Sequence, residues 1–250
     1  MTKINQLILE WPKGTVKSTS ELNELGYSSQ ILKVYANSGW INLLARGAYK
    51  LSGDITGWQG GLYCLQQQPD NYIHVGAITA LELKGFSHFI SQQQNKIELF
   101  GSATDKLPQW YTKQQWMQDL KFFGTNVFRY DNPVVFSTAT VNNLPLKISS
   151  PELAILEMLF LVPKIHSFDN AGLIMESLTT LRGDVLQILL ENCNSIKTKR
   201  LFLYLAEKHR HGWFNELNHT KINLGSGKRE IVKNGRLNKR YNITIPKDYE

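Results

Sequence analysis

The stretch from Thr15 to Leu51 is a closely punctuated run of short helices and a hairpin, and it sets what the start of this chain can become. Ser18 and Glu21 have capping-box spacing, in which a serine hydroxyl and a glutamate carboxylate each satisfy a free backbone N–H at a helix start. Gly26 stops that helix, because glycine enters the left-handed conformation that closes a helix. Ser28 caps the next helix, expected over about Ser29 to Asn37. At 100° per residue, Ile31, Leu32, Tyr35 and Ala36 fall on one side of it and Gln30, Lys33, Val34 and Asn37 on the other. Ser38-Gly39 ends the helix, Trp40 to Leu44 is an apolar, β-branched run, Ala45-Arg46-Gly47 is a turn, and Ala48 to Leu51 returns. This is the order of a winged helix-turn-helix with Arg46 at the wing tip. Ile4, Leu7, Ile8 and Trp11 recur at helical spacing before Pro12 and predict a supporting helix. Its Ile4 and Ile8 are expected against Leu22, Leu25 and the inner face of the second helix, with Ile4, Leu7, Leu22, Leu32 and Trp40 as the anchors of the module.

The outer face of the second helix has the chemistry of a major-groove reader. Gln and Asn bond adenine bidentately, and Lys reaches guanine acceptors or a phosphate. Arg46 is placed to reach a phosphate or a minor groove. The candidate DNA-binding set is Ser28, Ser29, Gln30, Lys33, Asn37, Arg46 and Lys50. A polar outer face is also what any surface helix presents, and a turn arginine is also an ordinary solvated residue.

Charge sharpens the picture more than composition does. The chain of 250 residues carries a net +7 with a pI near 9.3, which favours anionic partners. Between Lys197 and Arg240 twelve basic residues face three glutamates, an excess larger than that of the whole chain. Lys197, Lys199, Arg200, Lys228, Arg229, Arg236, Lys239 and Arg240 are therefore candidates for phosphate contact, with a solvated basic face as the plain alternative. Apolar runs fall short of the roughly 20 residues that span a bilayer, and Met1 to Trp11 lacks the marks of a signal peptide, so a cytoplasmic protein without membrane association is expected. Cys64 and Cys193 lack CxxC spacing and read as packed, reduced thiols.

Beyond Gly57 the texture changes. Trp58 to Gln68 and Ile78 to Leu83 read as helices, the second ended by Gly85. Ile97 to Phe100, Asn126 to Tyr130, Val134 to Thr138 and Leu144 to Ile148 read as strands of a small antiparallel sheet. Ser150-Pro151 opens a helix to about Leu161, and Phe168 to Leu178, Gly183 to Cys193 and Ser195 to Lys208 continue a leucine-rich bundle. Lys221 to Leu224, Glu230 to Lys233 and Tyr241 to Ile245 read as strands, with Asn234-Gly235 as a two-residue hairpin turn. The fold class is α+β: a winged helix-turn-helix over 1–57, then 58–250 as a mixed α/β part to residue 149 and a helical, basic part beyond it.

Three motifs invite enzymatic or metal readings and fall short of them. Phe100-Gly101-Ser102 with Asp105 resembles a nucleotidyltransferase turn, but the paired carboxylates that would hold magnesium do not follow, and Asp119 lacks an acidic partner two residues away. Gly225-Ser226-Gly227-Lys228 lacks the first glycine and the Ser or Thr of a Walker loop, leaving a backbone nest for a nucleic-acid phosphate or a flexible hairpin loop. His209 and His211 do not share a helix face, and with His219 they read as surface residues. No catalytic residue, metal ligand or cofactor is assigned.

The segment LNELGYSSQILKVYANSGWINLLARGAYKLSGD resembles the start of the AbiEi antitoxins of type IV toxin–antitoxin systems. HVGAITALELKGFSHF, SSPELAILEMLFLVP, LTTLRGDVLQILLENC, KTKRLFLYLAEKHRHGWF and INLGSGKREIVKNGRLNKRYNITIP extend the resemblance over nearly the whole chain. The resemblance implies a DNA-binding regulator that represses its own operon on double-stranded promoter DNA. It also implies an antitoxin that counteracts a nucleotidyltransferase toxin without requiring a stable complex, with the C-terminal basic residues as candidates for opposing the toxin. The competing readings are a nucleic-acid-processing enzyme carrying a winged-helix targeting arm, and a regulator without antitoxin activity.

Overall fold

A computed structural model describes residues 2–86, 96–247 and 249. The chain opens with α1 (Lys3–Glu10), β1 (Lys17–Ser18), α2 (Thr19–Glu24), α3 (Ser29–Asn37), β2 (Ile41–Ala45) and β3 (Ala48–Leu51). The strands form an antiparallel sheet of order β1-β3-β2, in which Lys17 and Ser18 face Tyr49 and Ala48. This is the winged helix-turn-helix that the punctuation predicts. Leu7, Trp11, Leu22, Tyr27, Leu32, Ile41 and Leu51 make its core, with Ile4 and Ile8 packed at the margin.

One expected packing partner, Leu25, and one expected anchor, Trp40, lie outside that core. Leu25 is 53% exposed and Trp40 49% exposed. Leu25 is the cap residue at which the chain leaves helical rotation, and Tyr27 fills the space instead, its hydroxyl donating to the Lys3 carbonyl at 3.2 Å. Gly39, at a φ of +76°, reverses the chain so that Ile41 rather than Trp40 turns inward. The capping box is half formed. Ser18 Oγ accepts from the Glu21 N–H at 3.1 Å, but the Glu21 carboxylate pairs with Lys17 and accepts the Cys64 thiol at 3.8 Å. Ser18 already belongs to β1, so its backbone is engaged by the sheet rather than by Glu21.

The rest of the chain shares one larger core. It contains α4 (Trp58–Gln66), β4 (His74–Val75), α5 (Ala77–Leu83), β5 (Lys96–Ser102), α6 (Gln109–Thr112), β6 (Asp119–Thr125), β7 (Phe136–Val141) and β8 (Leu144–Ser149). The five strands run in the order β6-β5-β4-β8-β7. The sheet is mixed rather than antiparallel: β5 pairs with β6, and β4 with β8, in parallel. Parallel pairing needs a long return connection, and the stretch carrying α6 between β5 and β6 supplies one. Asn126 to Tyr130 joins no sheet, and the expected strand at Val134 begins as a 3-10 turn, Pro133–Val135, before β7. Four helices follow, α7 (Pro151–Leu161), α8 (Phe168–Ser177), α9 (Gly183–Asn192) and α10 (Ile196–Lys208), with Ser150, Ser167 and Ser195 as side-chain caps of α7, α8 and α10.

The tail forms a small sheet of β9 (Arg229–Glu230), β10 (Arg236–Asn238) and β11 (Ile243–Ile245), ordered β10-β11-β9. Lys221 to Leu224 is not a strand. Asn234, at a φ of +56°, does turn the chain, but β11 lies between the two strands the turn connects, so no hairpin forms there.

Two buried carboxylates organise the start of α5. Glu157 on α7 accepts from the Ala77 N–H at 3.0 Å, from Ser149 Oγ at 2.7 Å and from Tyr130 at 3.4 Å, and lies 2.9 Å from His74 Nε2. Glu98 on β5 accepts from the Ile78 N–H at 3.4 Å and lies 3.0 Å from His166 Nε2. Anionic groups are favourable at a helix start, and these two tie that start to the sheet and the bundle. Beside the winged module, Val16 and Ala48 bury into the larger core, and Val16 donates to the Gly60 carbonyl at 3.3 Å. A Cβ on Gly60 would lie 1.9 Å from the Gly14 carbonyl oxygen, so the approach of α4 to this loop depends on glycine.

Candidate nucleic-acid interface

Helix α3 exists because Ser28 caps it, accepting the Ile31 N–H at 3.4 Å, and because Leu32 is fully buried beneath it. Tyr35 meets Tyr27 with ring centroids 6.4 Å apart, and Ile31 and Ala36 pack at the core margin. The opposite face carries Gln30, Lys33, Val34 and Asn37, all exposed. The three polar side chains singled out in the sequence therefore share one outward surface. Val34, 59% exposed among them, is an apolar neighbour suited to a thymine methyl. The helical spacing already placed it there. Ser28 and Ser29 lie exposed at the helix start, where backbone N–H groups attract phosphate.

Arg46 is exposed in the turn between β2 and β3. The wing is pinned at its turn, where the Thr19 N–H donates to the Gly47 carbonyl at 2.9 Å. Lys50 is half-buried and donates to the Asp54 carbonyl at 2.9 Å, which commits its ammonium to the chain. Of the seven candidates, Lys50 is the one already engaged in this way.

The basic C-terminal candidates divide sharply. Arg200 is buried at 3% exposure, and its guanidinium donates to Leu224 at 2.8 Å, Gly225 at 3.0 Å, Gly227 at 2.6 Å and Asn242 at 3.1 Å. Lys199 is buried, and Lys197 is half-buried with its ammonium on the Phe160 carbonyl at 3.0 Å and on the Val162 carbonyl. Burial pushes all three cations below their ordinary pKa values. These three cannot form the expected outer basic face. All three positions of α10 are covered by the fold, and the charges of Lys197 and Arg200 are met by backbone oxygens. The Gly225-Ser226-Gly227 loop is correspondingly built around an internal cation, its carbonyls turned to Arg200.

The other five lie at the surface around the tail sheet. Lys228 and Lys239 are exposed and Arg229 is half-buried. Arg236 donates to the Tyr249 carbonyl at 2.6 Å, and Arg240 pairs with Glu207.

The remaining motifs have local roles. Asp105 accepts the Ser102 N–H at 2.7 Å and closes a turn. His211 is buried rather than at the surface: it stacks on Trp213 at 4.9 Å and bonds the Met175 carbonyl at 2.7 Å. His209 is half-buried, its pKa lowered chiefly by burial, and His219 is exposed against Phe214. Cys64 and Cys193 are buried, and burial pushes their thiols up to about 12 and about 11. Among the described residues no group of three or more His, Cys, Asp or Glu side chains is placed to hold a metal ion, and no helix is long and apolar enough to cross a membrane.

Two family models match this sequence. One, described as a transcriptional regulator, AbiEi antitoxin N-terminal domain, matches residues 1–92. The other, described as a transcriptional regulator, AbiEi antitoxin, type IV TA system, matches residues 94–246. Among solved structures, the crystal structure of the RV2827C protein from Mycobacterium tuberculosis is similar with a TM-score of 0.61 at 11% identity, covering 96% of this chain and 88% of that one. Identity that low makes this a likeness of fold. No curated protein matches.

Proposed function

We propose that this chain, which belongs to the AbiEi antitoxin family of transcriptional regulators of type IV toxin–antitoxin systems, represses its own operon through the winged module and counteracts a partner nucleotidyltransferase toxin through residues 58–250. One observation carries the DNA half of this reading: Gln30, Lys33 and Asn37 stand exposed together on a helix whose other face is locked by Leu32. A capped helix with a fixed core face holds its outward side chains in register with successive base pairs. Ser28 and Ser29 serve the adjacent phosphates, and Arg46 reaches the backbone or minor groove beside the helix.

The antitoxin half rests on family membership. Toxin opposition is assigned to 58–250 because the winged module has a core of its own. The surface cations Lys228, Arg229, Arg236, Lys239 and Arg240 are its candidates for phosphate contact or for opposing the toxin.

Two measurements test the proposal. Footprinting on the DNA upstream of the gene is expected to show a protected site that α3 variants lose. Co-expression with the adjacent toxin gene is expected to restore growth. Absence of both, or magnesium-dependent turnover of nucleic acid by the purified chain, would favour the enzyme reading instead.

A further inference from the structure

The sequence reads Asn126 to Tyr130 as a strand, yet among the described residues no strand pairs with the segment. From Phe128 to Asp131 burial alternates strictly, with Phe128 and Tyr130 inward and Arg129 and Asp131 outward. That is the period of two of a strand on a packed surface. The inward pair is held firmly. Phe128 packs edge-on to Phe160 at 6.2 Å, and the Tyr130 hydroxyl donates to Glu157. Both ends are pinned as well: the Asn194 N–H and side chain donate to Val127 and Asn126 at 2.9 and 2.8 Å, and Asn132 accepts the Val134 N–H at 3.1 Å. Between these points the backbone N–H and C=O groups of 128–131 make no hydrogen bond among the described residues.

The segment is flanked by open space. A cleft of about 390 Å³ separates it from α9, where Ile188, 39% exposed, and Leu189 form an apolar wall. That volume lies in the range of about 300 to 1,000 Å³ typical of binding sites. Arg129 and Asp131, two residues apart on the outward side, have no ion-pair partner among the described residues. A stretch with strand-like alternation, anchored at both ends and with an unpaired backbone edge, is a template for strand addition, and side-chain positions in register give such pairing its specificity.

We propose that Phe128–Asp131 is an open strand edge that takes up an extended segment of a partner protein. The partner strand pairs its backbone with this edge, seats an apolar side chain against Ile188 and Leu189, and carries an acidic and a basic residue two positions apart to meet Arg129 and Asp131. A nucleic acid fits the site less well, because Asp131 would oppose its phosphates and a sugar–phosphate chain does not reproduce a peptide ladder.

The probe is a capped peptide of about nine residues, alternating valine and threonine and carrying one glutamate and one lysine two positions apart. It is titrated into the isotopically labelled full chain. The amide resonances of Arg129 and Asp131 are expected to shift and to gain about tenfold protection from exchange. N-methylation of alternate peptide residues is expected to cost about tenfold in affinity in one phase and little in the other, because only one edge of the added strand faces the protein. Arg129→Glu, at an exposed and unpaired position, is expected to weaken binding about tenfold, and a peptide with lysine at both charged positions is expected to recover it. Lack of binding at about 1 mM, equal loss in both methylation phases, or a response of these amides to single-stranded DNA but not to peptide would overturn the proposal.

Discussion

Arg200 Nη1 lies 2.6 Å from the carbonyl oxygen of Gly227, inside the fold rather than on its surface. With its bonds to Leu224, Gly225 and Asn242, this interaction makes the guanidinium the organiser of the loop before β9 and of the start of β11. Arg200→Ala would leave four half-buried or exposed carbonyls without this shared donor and is expected to cost about 1 to 3 kcal/mol, read as a lower urea midpoint. Lys228→Ala and Lys239→Ala, at exposed positions, are expected to stay within about 0.5 kcal/mol of the parent. Equal stability of all three variants would remove Arg200 from this structural role.

On α3, replacement of Gln30 or Asn37 by Ala is expected to cost about 1 to 3 kcal/mol of operator binding and to relax preference at one base position each. Lys33→Ala is expected to weaken binding more evenly if it holds a phosphate. Titration of operator and scrambled DNA at fixed salt distinguishes the two patterns, and unchanged binding by the triple alanine variant would refute the assignment of this face.

The tail cations give a different signature. Neutralising any one phosphate-binding charge among Lys228, Arg229, Arg236, Lys239 and Arg240 is expected to flatten the log–log salt dependence of duplex binding by about 0.9. Lys197, Lys199 and Arg200 are not expected to contribute to this slope, since their charges face inward. A slope untouched by neutralising the five surface cations would assign them to something other than DNA.

Acid sensitivity is expected from the pair of Glu152 and Arg182. Burial works to raise the Glu152 carboxyl, but bonds from Arg182, from the guanidinium at 2.9 and 3.0 Å and from the backbone N–H at 2.9 Å, outweigh it and hold the group below the ordinary carboxylate range. A depressed folded pKa means that the stabilisation is present above the ordinary value of 4.5 and is lost as pH falls through the lower, folded one. Thermal unfolding should therefore separate the parent from Glu152→Gln at neutral pH, and the gap should shrink with acidification below that ordinary value. A gap constant with pH would mean that the pair contributes through packing alone.

Division of labour is testable with fragments. Residues 58–250 are expected to fold, to lose operator specificity and to protect cells from the toxin, while 1–57 alone does not protect. Circular dichroism establishes folding, and co-expression at matched levels measures protection. Rescue by the isolated module and not by a folded 58–250 fragment would place protection in DNA binding. The fragment uncovers the surface under Val16 and Ala48, so reduced thermal stability is expected with it.

Local signals made the winged module legible: Ser28, Gly26 and Gly39 act within a few residues of themselves, and the alternate faces of α3 follow from helical geometry alone. The burial of Lys199 and Arg200 was not legible, because nothing in the periodicity of α10 tells which tail backbone will wrap over its basic side. The mixed order of the central sheet was hidden for a similar reason. Strand β6 carries Leu120, Lys121, Phe122 and Phe123 at similar half-burial, so it lacks the alternation that marks a strand exposed on one face. Asn126 to Tyr130 shows the converse case: burial alternates from Phe128 onward, but pairing needs a partner that the segment does not find among the described residues.

Gly60 sets the spacing between α4 and the loop at Gly14 by lacking an atom. Every replacement at this position adds bulk where a backbone oxygen already stands, so drift there has no neutral first step. The two positions are interlocked: a side chain at 60 becomes tolerable only after the Gly14 loop has moved, so the seam between the winged module and the remainder of the protein changes by paired steps or not at all.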